Sequence, residues 1–201
     1  MLKILMLRHG MTFGNSKGRY IGVTDESVLN TEKKLLGEMD FGKPDAVYTS
    51  PLKRCIETAG ILFPENRIFR IPDFRECDFG RFEGKTYLEL TDDPVYKQWL
   101  ESGTIIEFPG GESMAGFQER CVAGFDALVN TASRLKQNYI ALIVHGGTIA
   151  SILEAYGFPK KNYYDWFVKN LEGYRVRLSP DTFLKGEKTL IVDNFIQRSD
   201  S

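Results

Sequence analysis

The sequence predicts an α/β fold: a three-layer α/β/α sandwich around a mostly parallel central sheet, with a small, partly helical lid. Two observations predict it. Two apolar, β-prone runs, residues 4–7 and 140–144, each lead into His-Gly, as buried strands opening into loops do. Strand-like and helix-like segments then alternate along the chain, the pattern of a sheet covered by helices. With no internal repeat, low-complexity tract or linker, one domain over residues 1–201 is expected.

The elements follow in order. Residues 2–7 are the first strand. A loop with Gly10, Gly14, Ser16, Gly18 and Gly22 comes next. Residues 30–40 read as a helix with Asn30 or Thr31 as its N-cap. Pro44 and Asp45 break the chain before a short strand, 46–49. Ser50 and Pro51 read as a helix start, a capping hydroxyl followed by proline at the first helical position, for a helix running to about Leu62. Residues 67–71 are a third strand. The stretch 72–111 is weakly periodic and rich in aromatics (Phe74, Phe79, Phe82, Tyr87, Tyr96, Trp99 and Phe108). It reads either as a lid or cap inserted into the sheet domain or as ordinary core from short helices. A long amphipathic helix over 112–137, a strand over 139–144, a helix over 148–156 and strands over 174–178 and 189–192 complete the chain.

Composition narrows the function classes. The 201 residues are 42% hydrophobic and 26% charged, enough for one sizeable core, and the formal net charge is −1. That balance gives no broad electrostatic footprint for nucleic acid or an anionic membrane. No apolar run approaches a membrane span, and Met1-Leu2-Lys3 leads straight into a strand, so no signal peptide is expected. The three cysteines (Cys55, Cys77 and Cys121) lack metal-type spacing and read as reduced thiols. A cytoplasmic protein, monomer or homodimer, is expected.

The chemistry concentrates at the strand ends, where open α/β sheets bind ligands. The only two histidines, His9 and His145, both lie there. Each alone is a core histidine or a functional one; together they point to one site. Arg8 offers a fork of donors for phosphate or carboxylate, and Gly10 lets an anion approach the backbone. A cation beside His9 argues against a metal and favours the neutral, nucleophilic imidazole. His-x-x-His, His-Glu-x-x-His and Cys-x-x-Cys spacings are lacking, so no metal and no cofactor are expected. His145-Gly146-Gly147-Thr148 opens a helix whose first amides suit an anion. Arg54, one turn into a helix leaving a strand end, is placed to point into the same crevice, or is a surface residue.

Four motifs in this order resemble the histidine phosphatase superfamily, which includes the cofactor-dependent phosphoglycerate mutases. They are Arg-His-Gly near the start, Ser-Pro-Leu-x-Arg-x-x-x-Thr-Ala, Phe-Arg-Glu-x-x-x-Gly-x-x-Glu-Gly, and a strand-borne Val-His-Gly-Gly. The resemblance covers about residues 2–157. It implies that His9 is the nucleophile, forming a phosphohistidine, that Arg8 and Arg54 clamp the phosphoryl oxygens, and that His145 is a further donor to them. It implies that Glu76 protonates the leaving oxygen and that Asn15 contacts phosphate. Gly22, Thr24 and Gly146 are expected to contact substrate. Such a set needs no metal, because phosphoryl transfer mostly requires positioning and charge neutralisation. Two departures stand out: Met11 where many relatives have glutamate, and Val28-Leu29-Asn30-Thr31 where a Leu-Thr-x-x-Gly helix start is common.

The chain lacks the longer lid insertion that keeps water out in the mutases, which favours hydrolysis. Trp99-Leu100-Glu101 through Phe108-Pro109-Gly110-Gly111-Glu112-Ser113, with Phe117 and Arg120, resembles the α-ribazole phosphatase branch, which removes a 5′-phosphate from a nucleotide-like precursor in cobalamin biosynthesis. Glu112 and Ser113 either line the pocket or cap the long helix. A metal-independent phosphomonoesterase acting on a small phosphorylated metabolite is expected. The alternatives are a phosphoglycerate mutase and a non-catalytic phospho-ligand binding protein.

Overall fold

In the computed structural model the strands β1 (Leu2–Arg8) and β4 (Tyr139–Val144) lie side by side and parallel at the centre of a seven-stranded sheet. The description covers residues 1–102 and 107–198, so residues 103–106 of the predicted lid and 199–201 of the predicted domain lie outside it. Next to β4 runs β2 (Ala46–Thr49), and beyond it β3 (Ile68–Arg70), both parallel. On the other side, β6 (Gly173–Leu178) pairs antiparallel with β1, and β7 (Leu190–Ile196) antiparallel with β6. A two-residue edge strand, β5 (Gly157–Phe158), pairs parallel with β7. The sheet is thus mixed but mostly parallel, as predicted.

Strand periodicity explains the layers. Successive side chains face opposite sides of a sheet. Leu2, Ile4 and Met6 join one apolar cluster with Ile140, Leu142 and Val144, while Leu5 and Leu7 join another with Ala141 and Ile143. Both faces are buried, so these strands read as continuous apolar runs. The first face is covered by α6 (Met114–Arg134), α7 (Gly146–Tyr156) and α8 (Pro180–Leu184), through Phe125, Leu128, Ile149, Leu153 and Phe183. The second is covered by α3 (Lys53–Leu62), through Cys55 and Ala59, with α2 (Asn30–Glu38) packed against it.

Several helix ends differ from expectation. Neither Asn30 nor Thr31 caps α2; its N-cap is Leu29, without a side-chain hydrogen bond. Ser50 does not cap α3, whose N-cap is Leu52 and whose first helical residue is Lys53 rather than Pro51. The long helix is shorter than 112–137: Ser113 caps it by accepting from the Gly116 amide, and Lys136 takes a left-handed φ of 54° just past its end. α7 starts at Gly146, two residues early, and α1 (Phe13–Ser16) lies inside the predicted glycine loop.

The 72–111 stretch holds two 3₁₀ turns (Pro72–Phe74 and Gly80–Phe82) and two short helices, α4 (Tyr87–Leu90) and α5 (Pro94–Glu101). Its aromatics form a cluster of their own: Phe82, Tyr96, Trp99 and Phe108 pack with Cys77 and with Phe117 and Cys121 of α6. Phe82 meets Tyr96, Trp99 and Phe108 edge-on, the arrangement ring quadrupoles favour.

Candidate active site

Register at the sheet's centre brings the two histidines together. Arg8 pairs with Val144 across β1 and β4, so the residues that follow, His9 and His145, leave the same edge side by side. The His9 amide donates to the Val144 carbonyl (3.0 Å), and the two imidazoles meet edge-on with centroids 5.1 Å apart. On the far side of β4 the Ser50 amide donates to the Ile143 carbonyl (3.2 Å), bringing Ser50 to the same edge.

Hydrogen bonds hold the two rings through different nitrogens. His9 Nδ1 lies 2.8 Å from the Gly10 carbonyl, which can only accept; Nδ1 therefore carries the proton and Nε2 the lone pair. His145 Nε2 lies 2.8 Å from Ser50 Oγ, and its Nδ1 lies 4.0 Å from Glu76 Oε2. Burial, then the charges of Arg54 and Arg8, hold His9 well below the ordinary histidine range. Burial and Arg54 do the same for His145. Burial raises Glu76 above the usual carboxylate range, although the Cys77 amide and both guanidiniums pull the other way. With His145 held neutral, its 4.0 Å contact with Glu76 is not an ion pair.

Arg54, buried, and Arg8, half-buried, are cations held by dipoles. Arg8 donates through Nη1 to the Val168 carbonyl (2.8 Å). Arg54, fully buried, donates to the carbonyls of Thr24 (2.8 Å), Gly22 (2.9 Å) and Ile21 (3.4 Å). The Nε–H of each is buried without a partner. Neutral carbonyls solvate a guanidinium without cancelling its charge, so this pair favours an anion between them.

The expected residues are not placed alike. Asn15 reciprocally caps α1 with Thr12, and its oxygen also accepts from Asn170 (3.3 Å). Its carboxamide nitrogen remains as a donor for a ligand in the cavity that Asn15 lines. Gly146 lines that cavity too, at the N-terminus of α7. Gly22 and Thr24 serve differently than expected: their amides both donate to Glu83 Oε1 (2.8 and 2.9 Å), while their carbonyls receive Arg54. Gly10 likewise gives its amide to Thr58 Oγ1 (2.9 Å) rather than to an anion. It is glycine for space, since a Cβ there would lie 2.8 Å from Val28. Met11, at the first departure, donates its amide to Glu32 (3.1 Å).

Sequence reasoning missed five residues. Ser50 was assigned to a cap and instead engages His145. Thr58, in the second motif, ties α3 to the His9 loop. Glu83, the second glutamate of the third motif, holds the loop that holds Arg54. Asn170 donates to the His9 carbonyl (3.0 Å) from 161 residues away, next to Leu171, a buried residue with a left-handed φ of 63°. Cys55 lies 3.6 Å from His145 Nε2, and burial pushes its thiol up to about 12, so it is a neutral neighbour. Ser50, Thr58 and Glu83 carried a signal, their fixed places in the motifs; Asn170 and Cys55 carried none.

Over this floor opens a cavity of about 390 Å³. Arg8, Asn15, Glu76 and the two glycines of α7 form its polar end, and Tyr20, Phe79, Trp99, Phe108, Phe117 and Tyr163 supply aromatic walls. The aromatics of 72–111 thus form core and line the pocket at once.

This fold and this group of side chains define a class. A family model of the histidine phosphatase superfamily (branch 1) matches residues 4–186, and the chain belongs to that superfamily. Among curated relatives it is similar to phosphoserine phosphatase 1 of Hydrogenobacter thermophilus, 32% identical over 133 residues, 62% of this chain and 63% of the relative. It is also similar to a metal-independent phosphoserine phosphatase of Arabidopsis thaliana, 29% identical over 162 residues, 75% and 66% of the two chains. The match thus spans just under two thirds of each relative's length. Among solved structures, the α-ribazole phosphatase of Shigella flexneri shares the fold, with a TM-score of 0.81 at 18% identity over 100% of this chain and 98% of that one. Among the described residues no helix is long and apolar enough to cross a membrane.

Proposed function

We propose that the chain is a metal-independent phosphomonoesterase that works through a phosphohistidine. The observation that carries this is geometric: His9 commits Nδ1 to the Gly10 carbonyl, which leaves the lone pair on Nε2, and its ring packs against His145, whose Nδ1 lies 4.0 Å from the buried Glu76 carboxyl. In the first step His9 Nε2 attacks phosphorus, the P–O ester bond breaks, and Glu76 gives its proton to the departing alkoxide. In the second, water attacks the phosphohistidine, Glu76 takes a proton from it, and the P–N bond breaks to release phosphate. Arg8, Arg54, Asn15 and His145 neutralise and orient the phosphoryl oxygens in both steps. In this mechanism the Ser50 hydroxyl, 2.8 Å away, donates to His145 Nε2, so that Nδ1–H faces the phosphoryl group.

The leaving group is best served by an apolar, planar body, since aromatic rings wall the cavity and Leu100, Tyr164 and Phe167 stand exposed at its rim. That suits α-ribazole 5′-phosphate, the substrate the sequence motifs suggest, better than phosphoserine or 3-phosphoglycerate. A release assay across phosphomonoesters tests the reading. Phosphate release fastest from α-ribazole 5′-phosphate is the expected result. Preference for phosphoserine overturns the substrate. Conversion of 3-phosphoglycerate to its isomer in the presence of a bisphosphate primer identifies a mutase, and binding without turnover of any ester identifies a phospho-ligand binding protein.

A further inference from the structure

We propose that Arg120 is a positioning residue that sets the carboxyl of Glu76 against the phosphoryl site. The role rests on the phosphohistidine reading above and goes beyond it, because Arg120 does not line the substrate cavity.

Past the 3₁₀ turn at Pro72–Phe74, the segment that carries Glu76 belongs to no helix or strand. Its carbonyls need partners from elsewhere, and Arg120, on α6, supplies them. Nη1 donates to the carbonyls of Asp73 (2.7 Å) and Arg75 (2.9 Å), and Nη2 to that of Glu76 (3.4 Å). The remaining donors form a two-pronged pair with Glu112: Nε to Oε1 at 2.9 Å and Nη2 to Oε2 at 2.7 Å. All five guanidinium N–H groups are thus engaged, in the fork geometry that only arginine offers. The guanidinium also stacks 5.1 Å from the centre of the Phe117 ring, itself a wall of the cavity.

Glu112 extends the brace. Its amide donates to the Asp78 carbonyl (2.9 Å), and Gly111 before it packs so closely on that segment that a Cβ would lie 2.4 Å from the same oxygen. One guanidinium therefore joins three pieces of chain: helix α6, the loop at 107–112, and the segment that presents the acid. The phosphoryl clamp is built separately, from the ends of β1 and β4 and the start of α3. Loss of Arg120 therefore misplaces the proton donor and leaves phosphate binding intact.

The test uses the full chain with Arg120→Gln, Arg120→Lys and Glu112→Gln. It measures kcat/KM on phenyl phosphate, whose leaving group needs a proton, and on 2,4-dinitrophenyl phosphate, whose leaving group does not. Inhibition by orthovanadate reads the clamp. General acid catalysis contributes roughly 10²–10⁴-fold, so partial misplacement should cost about 10- to 100-fold on the phenyl ester and under about 3-fold on the dinitrophenyl ester. Vanadate inhibition should be unchanged. Arg120→Gln added to Glu76→Gln should slow the phenyl ester no further, because both substitutions remove the same proton transfer. Arg120→Lys, which keeps the charge but not the fork, should resemble Arg120→Gln. If Arg120→Gln does not fold, Glu112→Gln should show the same leaving-group selectivity at smaller size. Equal losses on both esters, weaker vanadate inhibition or an additive double variant would overturn the role. A wild-type chain that hydrolyses neither ester rejects the phosphatase reading and this role with it; unselective losses in an active enzyme reject the role alone.

Discussion

Ser50 Oγ and His145 Nε2 lie 2.8 Å apart, a contact that joins the ends of two neighbouring parallel strands and fixes which face of one imidazole is left for a ligand. His9 is fixed in the opposite sense, with Nδ1 committed to the Gly10 carbonyl. In the proposed mechanism two histidines that enter the site by the same route take different tasks, attack for one and donation for the other.

Nucleophilic attack by His9 makes a direct prediction. His9→Ala should abolish hydrolysis of p-nitrophenyl phosphate and the acid-labile phosphoenzyme formed on rapid quenching. Turnover at the wild-type rate in that variant would sink the covalent mechanism.

The raised carboxyl of Glu76 predicts a pH profile. Attack requires neutral His9, a condition lost only well below the ordinary histidine value of 6.5, and proton donation requires protonated Glu76, lost above the usual carboxylate value of 4.5. On phenyl phosphate, kcat/KM should therefore fall on the alkaline side as Glu76 ionises. Glu76→Gln should be slower by about 10²-fold or more on that ester and lack this limb. A limb unchanged in Glu76→Gln would assign it to another group.

Stability should follow the two histidines in the other direction. Both are depressed in the folded state, so below pH 6.5 the unfolded chain binds protons that the native one refuses. The melting temperature should fall as pH drops through 6.5 and keep falling until the native rings protonate. A His9→Asn, His145→Asn double variant should flatten that slope, as read by calorimetry. An unaltered slope would mean that other groups carry it.

Gly147 predicts a steric defect. A Cβ there would lie 2.8 Å from Glu76 Oε1 and 3.0 Å from the Phe117 ring, both packed in place. Gly147→Ala should therefore cost about 10-fold or more on poor leaving groups, since small displacements of catalytic groups carry penalties of that order. Equal activity on phenyl phosphate in the variant would show that the carboxyl has room to move.

Two guanidiniums beside His9 repel cations, so hydrolysis should persist in excess chelator. Activity lost to EDTA and restored by a divalent ion would reveal a metal-dependent step.

Much of this protein was legible in its sequence. The strands that reach the site are short and carry buried apolar runs, so local pattern alone placed them and the His-Gly steps at their ends. The arginines, the two histidines and Glu76 sit in motifs whose spacing is local too. Helix starts were less legible: the hydroxyl of Ser50 and the carboxamide of Asn30 suit caps, yet tertiary partners or simple extended entry replaced them.

What only the tertiary structure decided is who holds these residues. The β1–β4 register set the histidines edge to edge, and the carbonyls of residues 21, 22 and 24 closed around Arg54. Asn170, Glu83 and Arg120 reach the site from distant segments. The physical reason is that a catalytic side chain carries its chemistry in its own atoms, whereas its orientation and protonation come from burial and from hydrogen bonds that span the fold.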